Sequence, residues 1–323
     1  MYSIDRHQTI INRGLKEIEY PEQPTDLYQP IRYFLAIGGK RIRPTLTLLA
    51  AEMYDCPLER SLNIALAIEV FHNFTLLHDD IMDEAPKRRG QPSVHEQWNT
   101  NIAILSGDTM LITAYQLLAK SDPAILPSLL ATFNRAAIEV CQGQQFDMQY
   151  EQQDLVTIEE YLGMVRLKTA VLLGAALRMG AIVGNATAAD AEHLQQFGIN
   201  VGIAFQLQDD LLDIYGDPKR FGKQVGGDII ANKKTYLLLK AFELAEESDK
   251  KELKRWMYEE HDPSEKVKQI TQLYDRLHVH EFTVKAMRSY TDTAFTALDR
   301  VKLSHPKKEP LRQLTESLLV RNS

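Results

Sequence analysis

Cysteine is nearly absent from these 323 residues, with Cys56 and Cys141 the only two. That excludes a disulfide framework and a thiolate metal site, and it suits a reducing cytoplasm. Positive charge is also in deficit. With 37 Lys and Arg against 44 Asp and Glu, the formal net charge is −7. No general attraction to nucleic acid is expected, so a polyanionic ligand would have to be met by local bases and metal ions. Long apolar runs are missing too. The longest, from Thr169 to Val183, is broken by Arg178 and is too short to span a bilayer, so no stable membrane insertion is expected. The N-terminal Met-Tyr-Ser-Ile-Asp-Arg-His has neither the basic start nor the apolar stretch of a signal peptide. Alternating strand patterns, linkers rich in Pro, Gly or Ser, and low-complexity segments are not found. The expectation is a cytoplasmic protein with one all-α domain over residues 1–323.

Helical periodicity fills the space those absences leave, and 44% hydrophobic content is ample for a large core. Helices are predicted over 31–55, with Gly38-Gly39 and Pro44 as a local irregularity, and over 61–83, with Ser61 as N-cap. The second is apolar on nearly every face, which predicts burial. Others are predicted over 102–120, 124–151, 158–183, 188–215 and 234–247. Charge-rich helices follow over 250–259, 264–278 and 281–302, then a last one over 309–320. The natural architecture is a helical bundle with its site between facing helices.

Two aspartate clusters stand out, His78-Asp79-Asp80-Ile81-Met82-Asp83 and Asp209-Asp210-Leu211-Leu212-Asp213. Each is Asp-Asp-x-x-Asp at the end of an apolar helix. Residues four apart share a helix face, so Asp79 and Asp83 point together, as do Asp209 and Asp213. Pro86 follows the first cluster and Gly216-Asp217-Pro218 the second, so both lie in final turns, where the macrodipole is already negative. Repulsion built twice makes sense if hard cations neutralise it, Mg²⁺ above all when phosphates complete the shell.

Three basic groups complement these carboxylates. Gly38-Gly39-Lys40-Arg41-Ile42-Arg43 joins a flexible backbone to a point charge and planar forks, the usual means of holding phosphate oxygens. It is no P-loop, because Phe34 stands where that motif needs Gly and Arg41 follows Lys40. Arg88-Arg89-Gly90 either pairs with the adjacent aspartates or holds the far side of an anion. Lys168-Thr169 lies on a mostly apolar helix, Gln206 shares the face of Asp209, and Lys223 with Lys233-Lys234 follows Asp213. Together they describe a cavity with carboxylates on opposite walls, bases at the rim and apolar surface below. Such a cavity suits a metal-bound phosphate head with a hydrocarbon tail.

At this point the chain resembles the trans-isoprenyl diphosphate synthases. The matching segments are Gly-Gly-Lys-Arg-Ile-Arg-Pro, the first aspartate motif with Arg-Arg-Gly, Gly143-Gln144-Gln145-Phe146-Asp147, Lys168-Thr169, and Phe205-Gln206 with the second motif. Gly222-Lys223 and Asn232-Lys233 complete them in order. The resemblance implies an isoprenoid-synthase-type all-α bundle around a deep central cavity, in a homodimer. It implies head-to-tail condensation of isopentenyl diphosphate with allylic diphosphates by ionisation, condensation and elimination. Three Mg²⁺ per site would be held by Asp79, Asp83 and Asp209, with Asp80, Asp210 and Asp213 behind them. Arg88, Lys168, Lys223 and Lys233 would grip the allylic diphosphate. Lys40, Arg43, His72 and Arg89 would bind isopentenyl diphosphate. Thr169 and Gln206 would place oxygens near the developing cation. The spacing before Asn232 leaves the second lysine as Lys233 or Lys234, with Lys233 preferred.

The resemblance also implies that residues upstream of the first aspartate motif form the cavity floor and so set product length. Phe74 lies five positions before it, Thr75 four and Phe71 eight. Five helical residues rise about 7.5 Å, so a ring there would stop growth after a few isoprene units. With no insertion in the first motif, the pattern is similar to geranylgeranyl synthases of archaeal type, with a C20 product favoured and C15 next. Rival readings are weaker. A class I terpene cyclase shares the first motif but combines Asn or Asp with Ser and Glu at the second. A His-Asp phosphohydrolase needs more imidazoles than stand near Asp209. A non-catalytic partner subunit has no use for two complete triplets.

Overall fold

The computed structural model describes residues 4–154, 156–216 and 226–319, and they are almost entirely helical. They form two compact units, one made of the chain through Asn134 with 175–194 and 303–311, the other of 135–174, 195–302 and the chain from Arg312. Four of the five boundaries fall inside helices, and neither unit is a continuous stretch of chain. Among the described residues, no helix is long and apolar enough to cross a membrane.

The first unit contains α1 (Ile4–Lys16), α2 (Thr25–Ala36), α3 (Ile42–Glu52), α4 (Leu58–Met82), α5 (Val94–Gln97) and α6 (Thr100–Leu118). Its centre is α4, which packs against α6 and α3. Ile64, Ile68, Val70 and Phe71 on α4 are at most 1% exposed, as the all-round apolar pattern predicts. Burying each such side chain is worth about 1.5–3 kcal/mol. Close approach to α6 depends on Gly107, where a Cβ would fall 2.5 Å from His78 Cδ2.

Three local expectations differ. The helix expected over 31–55 is broken into α2 and α3, because Gly38, Gly39 and Arg41 adopt φ of 91°, 148° and 49°. α4 begins at Leu58, one turn before Ser61; Pro57 supplies the extended N-cap, and Ser61 Oγ donates back to the Leu58 carbonyl at 3.2 Å. α1 escaped the sequence reading because its apolar stripe is narrow, with His7, Ile11, Gly14 and Leu15 buried. A hairpin of two residues per strand, Lys87–Arg88 with Gln91–Pro92, is the strand content of the described residues.

The second unit holds most of α7 (Leu126–Glu151), α8 (Ile158–Val165) and the start of α9 (Val171–Val183). It also holds α10 (Ala188–Tyr215) from Gln195 on, and the helices from Gly227–Ile230 to Val279–Arg300. Thr157 and Glu160 form a reciprocal capping box that starts α8. The helix expected over 158–183 is continuous but contains a π-helical segment, Arg166–Ala170. The helix expected over 234–247 ends at Leu244, and the one expected over 264–278 runs from Pro263 to Arg276 with Asp262 as its N-cap.

Candidate active site

The two aspartate triplets belong to different units. In the first, Asp83 takes the C-cap of α4 and its N–H donates to the Asp79 carbonyl at 2.9 Å. Asp79 is half-buried and Asp83 exposed, one turn apart on a shared face. Asp80 lies off that face and is 1% exposed. The chain then makes the hairpin, whose turn residues Arg89 and Gly90 have φ of 51° and 79°. This left-handed pair matches the twist of a two-residue hairpin. The hairpin returns Arg88 to Asp80, where Nε donates to Oδ1 at 2.8 Å and Nη2 donates to the same oxygen. Burial raises the Asp80 carboxyl above its ordinary value, and the Arg88 bonds oppose that rise. Asp80, expected behind a metal, also anchors Arg88. Its Oδ2 is buried with no hydrogen-bond partner among the described residues.

The Gly38–Arg43 segment splits its cations by direction. Arg41 turns inward at 4% exposure, and its Nη1 donates to Glu69 Oε1 at 2.5 Å. Its Nη2 donates to the Leu35 carbonyl at 2.8 Å and its Nε to Asn12 Oδ1 at 3.0 Å. Asn73 Nδ2 donates to the same Glu69 oxygen at 3.0 Å. Lys40 is exposed. Arg43 lies 3.1 Å from His72, Nη1 to Nε2. A guanidinium cannot accept, so His72 Nε2 is the acceptor and its proton sits on Nδ1. Burial, followed by Arg43, Arg89, Arg88 and Arg41, holds His72 well below its ordinary value and hence neutral. Burial also lowers Arg43 to about 10. Arg89 is exposed and lies over Gly39, where a Cβ would sit 2.7 Å from Nη1. Glu69 and Asp80 hold Arg41 and Arg88; among the described residues no carboxylate pairs with Arg43 or Arg89. This basic surface is pre-arranged for an anion.

Upstream on α4, Phe74 is half-buried and Phe71 is 1% exposed, their ring centres 5.7 Å apart. Phe133, not anticipated from sequence, meets Phe71 edge-on at 5.0 Å. Phe74 therefore presents the accessible ring, and Phe71 braces it from behind. Thr75 Oγ1 donates to the His72 carbonyl at 2.8 Å.

In the second unit, Asp209 is exposed on α10 and Asp210 is 3% exposed. Tyr161 donates its hydroxyl to Asp210 Oδ2 at 2.5 Å, Gln206 Nε2 donates to Oδ1 at 3.2 Å, and the Tyr236 N–H donates to Oδ2 at 3.4 Å. Burial raises Asp210 to about 7 against these bonds. Asp213 Oδ2 accepts the Asp228 N–H at 3.0 Å, which fixes the start of the helix Gly227–Ile230. Both residues were expected behind metal ions; each also carries an internal structural bond.

Lys168 and Thr169 sit on the π-helical segment, half-buried, and Lys168 Nζ donates to Asp147 Oδ2 at 2.6 Å. π-Bulges recur at functional sites because they re-aim side chains. The segment lies directly against Gly143: a Cβ there would fall 2.6 Å from Lys168 Cα and 2.7 Å from Leu167 C. Gly143 and Asp147 are four apart, and that shared face was the available sequence signal for Asp147. Lys234 Nζ donates to the Glu151 carbonyl at the end of α7, at 3.2 Å. Lys233 has a half-exposed side chain, 3.9 Å from Asp228 Oδ1. Lys223 lies outside the described residues. Lys168, Thr169, Gln206, Asp210, Lys233 and Lys234 all line one cavity of 210 Å³.

The chain matches the polyprenyl synthetase family over residues 24–274. It is 42% identical over 236 residues to a geranylgeranyl pyrophosphate synthase of Geoglobus acetivorans, covering 72% of this chain and 74% of that protein. A crystal structure of geranylgeranyl pyrophosphate synthase superposes with a TM-score of 0.95 at 43% identity, over 100% of both chains. Another such synthase, from Corynebacterium glutamicum, was crystallised with isoprenyl diphosphate and magnesium. It superposes with a TM-score of 0.87 at 26% identity, over 99% of this chain and 100% of that one.

Proposed function

The chain belongs to the polyprenyl synthetase family of prenyltransferases. From that premise we propose that it condenses isopentenyl diphosphate with allylic diphosphates to an all-trans C20 product, as a Mg²⁺-dependent homodimer. The observation that carries the reading is the basic surface of α3, α4 and the hairpin. There Arg43 and Arg89 lie beside a neutral His72 without carboxylate partners among the described residues. A metal-free diphosphate pocket needs that surplus of fixed donors. With Lys40, these residues hold isopentenyl diphosphate.

Arg88, steadied by Asp80, grips the allylic diphosphate together with Lys168, Lys223 and Lys233. Lys234, directed to the end of α7, is the weaker candidate for that role. The carboxylates suit Mg²⁺. Among the described residues no three His, Cys, Asp or Glu side chains form a ready-made cage. Mg²⁺ commonly takes one or two carboxylates and completes its shell with phosphate oxygens and water. Asp79 with Asp83, and Asp209, would each supply such ligands, for three ions. When bound, the ions neutralise the departing diphosphate.

The remaining steps fall to the chain. Gln206 and Thr169 set oxygen dipoles beside the developing allylic cation. The isopentenyl double bond attacks that carbon, and the proton then leaves to the released diphosphate. Apolar surface around Ile68 and Phe74 excludes water, which would otherwise trap the cation as an alcohol. Phe74, braced by Phe71 and Phe133, stops growth at four isoprene units.

The test is incubation with Mg²⁺, isopentenyl diphosphate and in turn dimethylallyl, geranyl or farnesyl diphosphate. The extracted alcohols are sized after phosphatase treatment. A C20 alcohol from all three primers is expected; no extension of any primer would overturn the reading.

A further inference from the structure

Gln206 is the residue whose chemistry depends most on which way round it sits. A primary amide has a donor end and an acceptor end, and only the carbonyl oxygen stabilises a cation. Turned over, the same side chain would aim two N–H dipoles at the positive carbon. Something must therefore fix the amide.

Asp210 is suited to that task. Ionised, it accepts hydrogen bonds and donates none, so the Gln206 end that meets Oδ1 at 3.2 Å is then the NH₂ group. Gln206 is half-buried on the wall of the 210 Å³ cavity shared with Lys168 and Thr169. No hydrogen-bond donor among the described residues reaches its carbonyl oxygen. Asp210 is in turn fixed by Tyr161, a 5% exposed residue of α8 whose hydroxyl donates to Oδ2 at 2.5 Å. The Tyr236 N–H adds a longer bond of 3.4 Å. A buried carboxylate held from behind by a phenol keeps one oxygen turned to the amide. Gln206 and Asp210 are four apart on α10, so their backbone spacing is set by the helix.

We propose that Tyr161 is a positioning residue that acts through Asp210 to lock the Gln206 amide with its carbonyl oxygen facing the reacting allylic carbon. The proposal rests on the function given above and adds to it the device that orients the cation-stabilising group. It also accounts for the burial of Asp210 between two exposed or half-buried aspartates. The middle residue of this triplet serves orientation, as Asp80 does for Arg88.

A double-mutant cycle tests it with Tyr161→Phe, Gln206→Met and both together, in the full chain. Loss of one bond to a charged group predicts a fall in kcat of about 10- to 100-fold for Tyr161→Phe. The KM for isopentenyl diphosphate and the Mg²⁺ activation curve should not change. In the double variant kcat should be no lower than in Gln206→Met alone, because the tyrosine has nothing left to orient. Losses that multiply, or a Tyr161→Phe loss that appears as a shifted Mg²⁺ curve, would overturn the proposal. A second readout needs no turnover. In the unmutated protein the Gln206 side-chain NH₂ should give two separated NMR signals with slowed solvent exchange, and Asp210→Ala should collapse that protection. Fast exchange in the unmutated protein would refute the lock even if Tyr161→Phe failed to fold. A chain that condenses no substrate would overturn the function itself, and the amide signals would still decide whether the lock exists.

Discussion

Gly143→Ala is the sharpest perturbation the fold offers, because two effects of opposite sign compete there. Alanine favours a helix interior by about 1 kcal/mol over glycine, so on propensity alone the change would stabilise α7. Packing opposes it. The added methyl would lie 2.6 Å from Lys168 Cα and 2.7 Å from Leu167 C, both on a neighbouring backbone segment. Lys168 N would lie nearer still, and ordinary contact requires about 3.4 Å or more, so α7 and the π-helical segment must separate by roughly 1.2 Å. Overpacking of this kind costs about 1–3 kcal/mol, which outweighs the propensity gain. The displaced residues include Lys168 and Thr169, and a shift near 1 Å in a positioning group can lower a rate about 100-fold. Gly163→Ala is the control, since Gly163 is exposed on α8 and a Cβ there meets nothing within 4 Å. It should stabilise by about 0.5–1 kcal/mol and leave turnover unchanged. The assay is thermal unfolding beside kcat and KM for the allylic substrate. Equal behaviour of the two variants would refute the reasoning.

Breaking the Arg41–Glu69 pair with Arg41→Met should destabilise by about 3–5 kcal/mol in a denaturant titration, because it strands a buried carboxylate. Adding Glu69→Leu should recover much of that loss, and a double variant no more stable than Arg41→Met would count against this. His72 is held neutral in the fold, so below about pH 6.5 the unfolded chain binds a proton that the native chain does not. Stability should therefore fall as pH drops below that value, and His72→Gln should flatten the fall in melts between about pH 5 and 7. Phe74→Ala should lengthen the extracted alcohol by one or more isoprene units. Phe133→Ala should lengthen it less while destabilising by about 3–5 kcal/mol, because that ring braces from within the core. Unchanged length in Phe74→Ala would remove it from the floor.

Much of the fold was legible from periodicity, which depends on near neighbours. The limits of α10 and the burial of α4 follow from sequence spacing alone. Boundaries failed where a distant residue decided them. Nothing in Gly38–Arg43 says that Arg41 dives to Glu69, 28 residues on, and leaves a gap between α2 and α3. Likewise Pro57 overrode the stronger capping chemistry of Ser61 by its extended backbone.

The candidate site divides the same way. Spacing alone determined that Asp79 and Asp83 share a helix face, and that Asp209 and Asp213 do, because 3.6 residues per turn is a local constant. Residue type alone determined that Lys40, Arg43 and Arg89 could serve an anion. Only tertiary structure decided that Asp80 holds Arg88, that Lys234 turns to the end of α7, and that Tyr161 reaches Asp210 across 49 residues. A hydrogen bond between distant residues needs a burial direction and a partner, and the packing of helices supplies both.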